Sequence, residues 1–342
     1  MTDKVLVTGI SGFLGGHVAL ALLDRGYAVR GSVRDLKKAD KVRAALQRAS
    51  AAGAVDNLDF VALDLGRDDG WRTAVAGCRY VQHVASPFVT AMPKDKDDLI
   101  RPAVEGTRRA LQAGLAEGVE RIVLTSSFAA IGYGHAPGRT APFTEADWSK
   151  TEGEDVNAYT ESKTRAELEA WSIMEAAGRR NDLAVINPTA ILGPLLDDDP
   201  GTSGELIRRL LSGSVPALPR LSFGFVDVRD VAALQVNAIE AVSAGGKRYI
   251  ASAGSLSFKA AADALRQALP ERADKLPRRE LPDWLARLLA LFNADLRGRL
   301  GSLGVVKEID GRAGEALLGH PYISPAAAVV AMGRSLVEQK LA

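Results

Sequence analysis

Short apolar runs alternate with longer amphipathic stretches through the first half of the chain, the pattern of parallel strands joined by helices that cover both faces of a sheet. The runs Lys4 to Thr8, Ala28 to Val33, Leu58 to Leu63, Tyr80 to Val84 and Arg121 to Thr125 read as strands. Phe13 to Asp24 reads as a crossover helix, ended by Arg25 and Gly26. Asp97 to Glu117 reads as another, because Leu99, Ile100, Ala103, Val104, Leu111 and Leu115 recur at helical intervals. A long helical stretch, Val156 to Ala177, leads to a sixth strand, Leu183 to Asn187, which Pro188 stops.

Past Gly193 the alternation weakens. Leu195 to Gly204 contains three consecutive aspartates with a proline and two glycines, which is loop chemistry. Beyond it the pattern predicts a short helix near Glu205 to Leu211, an extended Phe223 to Val228, a helix from Arg229 to Val242 and several C-terminal helices. The predicted fold class is therefore α/β: a Rossmann-type doubly wound parallel sheet with a smaller, mainly C-terminal lobe.

Composition narrows the possibilities without changing that picture. With 342 residues, 47% of them hydrophobic and 25% charged, the chain has enough material for a sizeable core and is neither disordered nor disulfide-stapled. Forty-three basic against 42 acidic residues leave no global field that would favour nucleic acid or an anionic membrane, so any anion site must be local. The single cysteine, Cys78, excludes an intramolecular disulfide, and His17, His83, His135 and His320 lack metal-site spacing, so no metal is expected. The opening MTDKVLVTG lacks a leader pattern and no window approaches the roughly 20 apolar residues of a membrane span, so a cytoplasmic protein is expected.

Directly after the first strand stands TGISGFLG, whose glycines at positions 9, 12 and 15 lead into a helix. Glycine lets the backbone approach a pyrophosphate closely, and the helix N-terminus supplies free N–H groups and a favourable dipole. The spacing is GxxGxxG rather than the GxGxxG of the usual dinucleotide fingerprint. Thr8, Gly9, Ser11, Gly12, Phe13, Leu14 and Gly15 are the candidate residues of this turn. The second strand ends in GSVRD, where an NAD-preferring site usually carries an acidic residue for the ribose. Here Arg34 offers a planar cation to a 2′-phosphate, Ser32 a hydroxyl and Lys38 further charge, which favours NADP(H) over NAD(H). The bland alternative for Arg34 is a surface pair with Asp35. Asp64 and Leu65, after the third strand, are placed to bracket the adenine or else to form a turn. On this reading residues 1–190 are mainly the NADP-binding unit and 191–342 mainly the substrate lobe, with 225–252 returning to the first unit.

Tyr159 and Lys163, in AYTESKT, stand four residues apart and so share one helix face. A fixed ammonium near a phenol favours the phenolate and makes the hydroxyl a more competent acid near neutrality. Thr125, Ser126 and Ser127 stand at the carboxyl end of the fifth strand, where open α/β sheets bind ligands. Ser127, with Ser126 as the fallback, is placed to hydrogen-bond a reacting oxygen.

Through TGISGFLG, VLTSS and YTESK, in that order, the chain resembles the extended short-chain dehydrogenase/reductase family over essentially its whole length. GSVRD, HVASPF, RPAVEGT, INPTAILGP and FVDVRDVA resemble, more narrowly, the dihydroflavonol reductase, cinnamoyl-CoA reductase and microbial aldehyde/ketone reductase group. The resemblance implies a small carbonyl or alcohol substrate, reduced reversibly with NADPH, and a Ser127, Tyr159, Lys163 triad in which Tyr159 protonates the alkoxide. It also implies that Val84, Ala85 and Ser86 lie along the cofactor, that Pro188, Ala190 and Ile191 flank the nicotinamide, and a homodimer through the Tyr159 helix. Val84 stands where the group often has threonine, and RRAL at Arg108 to Leu111 replaces an asparagine-containing continuation, so an asparagine-based fourth partner is not expected. Phe88, Phe128, Tyr133, Leu192, Leu195, Phe223 and Trp284 are candidate pocket residues, with core packing as their alternative. The competing functions are an NAD-dependent nucleotide-sugar epimerase or dehydratase, against which Arg34 and the Phe128, Ala129 continuation count, and a non-catalytic NADP-sensing protein.

Overall fold

The computed structural model describes residues 2–50, 53–87, 93–136, 138–153, 155–292, 294–298 and 300–342. Strands β1 (Lys4–Val7), β2 (Ala28–Val33), β3 (Leu58–Ala62), β4 (Tyr80–His83), β5 (Arg121–Thr125) and β6 (Leu183–Pro188) follow the expected order. With a later strand, Lys247–Ala251, they form a seven-stranded sheet whose adjacent strands are all parallel. The central strands have no solvated face. Val5 and Val7 of β1 enter one core and Leu6 the other; Ala184 and Ile186 of β6 likewise oppose Leu183 and Val185. That period of two, apolar on both sides, is what a sheet covered by helices requires.

Helices α1 (Phe13–Asp24) and α2 (Ala39–Ala49) lie over the first core, and α3 (Trp71–Val75), α4 (Asp97–Ala116) and α5 (Ala158–Ala176) over the second. Asn157 caps α5, accepting from the Thr160 N–H at 3.0 Å, and so starts the helix two residues before Tyr159. The sheet order runs β3, β2, β1, β4, β5, β6, so the chain reverses its direction of travel between β1 and β4. A crevice for ligands opens at the carboxyl ends of two such strands.

After β6 come β7 (Ala190–Leu192), α6 (Gly201–Ser212), β8 (Leu218–Pro219), β9 (Ser222–Asp227), α7 (Val228–Glu240), β10 (Lys247–Ala251) and β11 (Ser255–Ser257). They are followed by α8 (Phe258–Ala268), β12 (Glu280–Leu281), α9 (Asp283–Leu289), α10 (Ala294–Arg297), α11 (Arg312–Leu318) and α12 (Pro325–Glu338). β10 pairs with β6, and α7 packs beside α1 on the large sheet. β9 pairs with β7 and β11 in a small second sheet, which shares a third core with α6, α8 and α12.

Several boundaries differ from expectation: Pro188 is the last residue of β6 instead of stopping it at Asn187, and two further shifts have a local cause. The helix expected near Glu205 begins at Gly201, because Asp199 accepts from the Gly201 N–H and Gly204, Ile207, Leu210 and Leu211 then form a buried face. Val228, expected as strand, is the first residue of α7, since the Asp227 carboxylate accepts from the Arg229 N–H at 2.9 Å. Among the described residues no helix is long and apolar enough to cross a membrane.

Candidate active site

The glycine turn and the loop after β4 meet at the reversal between β1 and β4. Thr8 N–H donates to the Gln82 carbonyl, and Ala85 N–H donates to the Thr8 hydroxyl at 3.0 Å. Gly9 has a φ of +69°, and a Cβ built on it would lie 3.0 Å from the Ala85 Cβ. A Cβ at Gly15 would come within 2.2 Å of the Gly9 carbonyl oxygen, so the third glycine lets α1 start tightly under the turn. Gly12 leads into α1 with no side-chain cap and no acidic residue in the first turn, which leaves the helix N-terminus to an anion.

Ser32 is buried, and its hydroxyl accepts from the Gly9 N–H at 3.1 Å, binding the end of β2 to the turn. Its own O–H remains available to donate. Arg34 is exposed and makes no ion pair or hydrogen bond among the described residues; Asp35 instead accepts from the Lys37 N–H. The surface-pair alternative for Arg34 is therefore not what the structure contains. Lys38 is also exposed and unpaired among the described residues. Asp64, an exposed residue, accepts from the Gly66 N–H at 2.8 Å, the turn role, through one of its two oxygens.

Ser127 follows β5, and its hydroxyl accepts from the Ala129 N–H at 3.1 Å. This fixes the rotamer while leaving the hydroxyl hydrogen free to donate. Tyr159 places its hydroxyl 3.5 Å from the Ser127 Oγ, with 38% of the residue exposed. The Lys163 Nζ lies 6.0 Å from the Tyr159 ring centre, and its residue is buried. An open cleft brings Lys163 together with Leu65, Ala85, Ser86, Thr125 and Ser126. A second is lined by Ser11, Gly12 and Phe13 with Leu196 and Asp197. Two hydroxyls converging beside a buried amine at the carboxyl end of a parallel sheet can hold one oxygen atom and pass it a proton.

Residues 5–254 match the NAD dependent epimerase/dehydratase family. The chain belongs to that family. It is thus an extended short-chain dehydrogenase/reductase, as the motifs implied. Cinnamoyl-CoA reductase 1 of Oryza sativa subsp. japonica is 38% identical to it over 72% of this chain and 70% of that protein. The NADPH-dependent methylglyoxal reductase GRE2 of Saccharomyces cerevisiae is 30% identical over 80% of this chain and 85% of its own. The crystal structure of yeast methylglyoxal/isovaleraldehyde reductase Gre2 complexed with NADPH superposes with a TM-score of 0.80 at 25% identity, covering 98% of this chain and 99% of that one.

Several pocket candidates of this family member prove to be packing residues. Leu192 and Leu195 are buried in the third core, where their apolar side chains fill space between the small sheet and its helices. Phe128 is buried against Phe143 and Ile131, and Phe223 stacks on Phe258 at 5.2 Å. Trp284 goes the other way and is 67% exposed on α9. Tyr133 is half-buried beside Phe128, and Phe88 lies outside the described residues.

Three residues behind the site went unread in the sequence: Glu167, Asn187 and Arg248. Glu167 is fully buried on α5, one turn beyond Lys163, and pairs with Arg248 of β10 at 2.5 Å. The available signal was a carboxylate continuing the Tyr159, Lys163 face at the same four-residue interval.

Two buried histidines are expected to make the fold acid-sensitive. Burial, with the Lys163 charge adding to it, pushes His83 down to about 3; its Nδ1 meets the Thr8 hydroxyl at 3.0 Å. Burial also pushes His17 down to about 4 against the opposing Pro194 carbonyl and Asp227. Both folded values lie below the unfolded value of 6.5, so the unfolded state binds more protons between them and stability falls as pH falls through that window. From pH 7 to 5 the pair is expected to cost roughly 3–4 kcal/mol, or about 5 °C in Tm. Thermal unfolding of the protein and of His83→Gln checks this: the variant's Tm should depend less steeply on pH, and an equal slope would reject the assignment.

Proposed function

We propose that this protein uses NADPH to reduce an aldehyde or ketone to the alcohol, reversibly, with Tyr159 as proton donor, Ser127 as the hydrogen-bond donor to the carbonyl oxygen and Lys163 as the cation that supports Tyr159. The observation that carries the reading is the 3.5 Å approach of the Tyr159 and Ser127 hydroxyls with Lys163 beside the phenol ring. Its closest support among relatives is that curated proteins 30–38% identical to it are reductases. That also favours it over the epimerase alternative.

The glycine turn fits a dinucleotide because a Cβ at Gly15 would collide with the turn's own backbone, and Arg34 fits a 2′-phosphate because its guanidinium has no other partner among the described residues. On this proposal the turn of residues 8–15 faces the pyrophosphate through the amides of Ser11, Phe13, Leu14 and Gly15, Ser32, Arg34 and Lys38 face the 2′-phosphate, and Asp64 and Leu65 the adenine. Val84, Ala85, Ser86, Thr125, Pro188, Ala190 and Ile191 line the path toward the nicotinamide, and Lys163 reaches the ribose. NADPH, when bound, supplies a hydride from the nicotinamide ring. Ser127 polarises the carbonyl before transfer, and Tyr159 gives its proton to the developing alkoxide. Residues 1–190 with 225–252 take the cofactor and the remaining C-terminal residues shape the substrate side.

Fluorescence titration with NADPH and NADH, followed by an aldehyde and ketone panel read at the nicotinamide absorbance, tests both parts. Arg34→Ala is expected to weaken NADPH binding by about 10- to 100-fold, the loss of a charge-assisted phosphate contact, while leaving NADH unchanged. Equal affinities for the two cofactors in the unaltered protein would overturn the NADP(H) assignment.

A further inference from the structure

We propose that Glu167 is a positioning residue for carbonyl reduction: its buried carboxylate holds the strand ends from which Ser127 and the β6 to β7 connection approach the reacting atoms. The inference rests on the reductase reading above. It starts from an unusual concentration of donors on one side chain.

Glu167 is 0% exposed, yet both of its oxygens are fully engaged. Oε2 accepts from the Ser126 hydroxyl at 2.5 Å and from the Asn187 Nδ2 at 2.7 Å. Oε1 accepts from the Arg248 Nε at 2.5 Å and from the Trp171 indole N–H at 3.3 Å. Asn187 uses the same nitrogen to donate to the Ser127 carbonyl oxygen at 3.2 Å. One carboxylate therefore gathers β5, β6, β10 and α5 at a single point, directly behind the serine whose hydroxyl faces Tyr159. It also lines the same cleft as Lys163.

Arg248 is the counter-ion that makes a buried carboxylate tolerable, and it is itself held from outside. Its Nη1 donates to the Glu145 and Asp147 carbonyls, and its guanidinium lies 3.8 Å from the Trp148 ring centre. Arg248 does not touch Ser126, Ser127 or Asn187 in any hydrogen bond among the described residues. The two charges thus have separable duties: Arg248 compensates the buried charge, whereas Glu167 alone reaches the site.

That separation makes the proposal testable against a purely structural ion pair. In Glu167→Met/Arg248→Met no unpaired charge is buried, and no acceptor remains for the Ser126 hydroxyl or the Asn187 amide, so the contact to the strand ends is lost. Arg248→Met alone keeps the carboxylate with its Ser126, Asn187 and Trp171 donors. The double variant is expected to lose about 30-fold or more in kcat relative to Arg248→Met, as a small misplacement of a site element does, with KM for NADPH within about threefold. Amide hydrogen exchange over residues 125–130 should quicken in the double variant only. A double variant with kcat within about twofold of Arg248→Met and unaltered exchange overturns the proposal.

If the double variant does not fold, Ser126→Ala removes one donor to Glu167 without stranding a charge, and its kcat decides in its place: a fall at unchanged Tm supports the positioning role, and no fall overturns it. If the unaltered protein turns over no carbonyl, the reductase reading fails, and the exchange measurement still decides whether Glu167 holds the Ser127 strand end.

Discussion

Tyr159→Phe is expected to lower kcat for carbonyl reduction by about 10²- to 10⁴-fold, the usual contribution of a positioned general acid, while NADPH affinity stays within about threefold. The substitution deletes one oxygen and leaves the ring, its neighbour Lys163 and the Asn157 cap of α5 in place. Among the described residues the phenol hydroxyl has a single partner, the Ser127 hydroxyl at 3.5 Å, so no buried group there is left unsatisfied and folding should be unaffected. Single-turnover kinetics with preloaded NADPH isolates the chemical step from product release. A variant that binds NADPH and reduces the carbonyl panel at the parental rate would remove Tyr159 from the mechanism.

Much of this site was legible because it is written in local spacing. The four-residue interval of Tyr159 and Lys163, the glycines at 9, 12 and 15, and the TSS run after β5 each follow from one element's own periodicity or turn. The large sheet was legible for the same reason: its central strands are apolar on both faces. What was not legible depends on partners distant in the chain. No strand was read at β10, which joins the sheet beside β6 from some 60 residues farther along the chain, and β7 and β11, three residues each, are too short for a period-two signal to stand out. Leu192 and Leu195 looked like pocket residues because they follow the nicotinamide-side motif, yet an apolar residue in a short strand serves a core equally well, and here the third core takes both. Glu167 is the sharpest case. A glutamate in a helix reads as a solvated residue until Ser126, Asn187 and Arg248 arrive from three other strands or strand ends.

Gly15→Ala is expected to be the most damaging single change at the cofactor end, although it adds one methyl group. That carbon would lie 2.2 Å from the Gly9 carbonyl oxygen, 2.9 Å from the Gly9 carbonyl carbon and 3.1 Å from the Ile10 Cα. All three are backbone atoms of the turn, so no side chain can swing aside. Gly9 holds a left-handed conformation and abuts Ala85, so the turn can yield only by moving away from the β4 loop that it packs against. Overpacking of this kind costs about 1–3 kcal/mol, roughly 2–4 °C in Tm for a chain of this length. The effect on cofactor should be larger: the amides of the turn act together on a pyrophosphate, and displacing them is expected to weaken NADPH binding by about 10- to 100-fold, with NADH weakened equally. That equality separates the variant from Arg34→Ala, whose loss is confined to NADPH. Gly301→Ala provides the control, since a Cβ there meets nothing within 4 Å. Parental affinity for both cofactors in Gly15→Ala would mean that the turn packs α1 against the sheet without holding a dinucleotide.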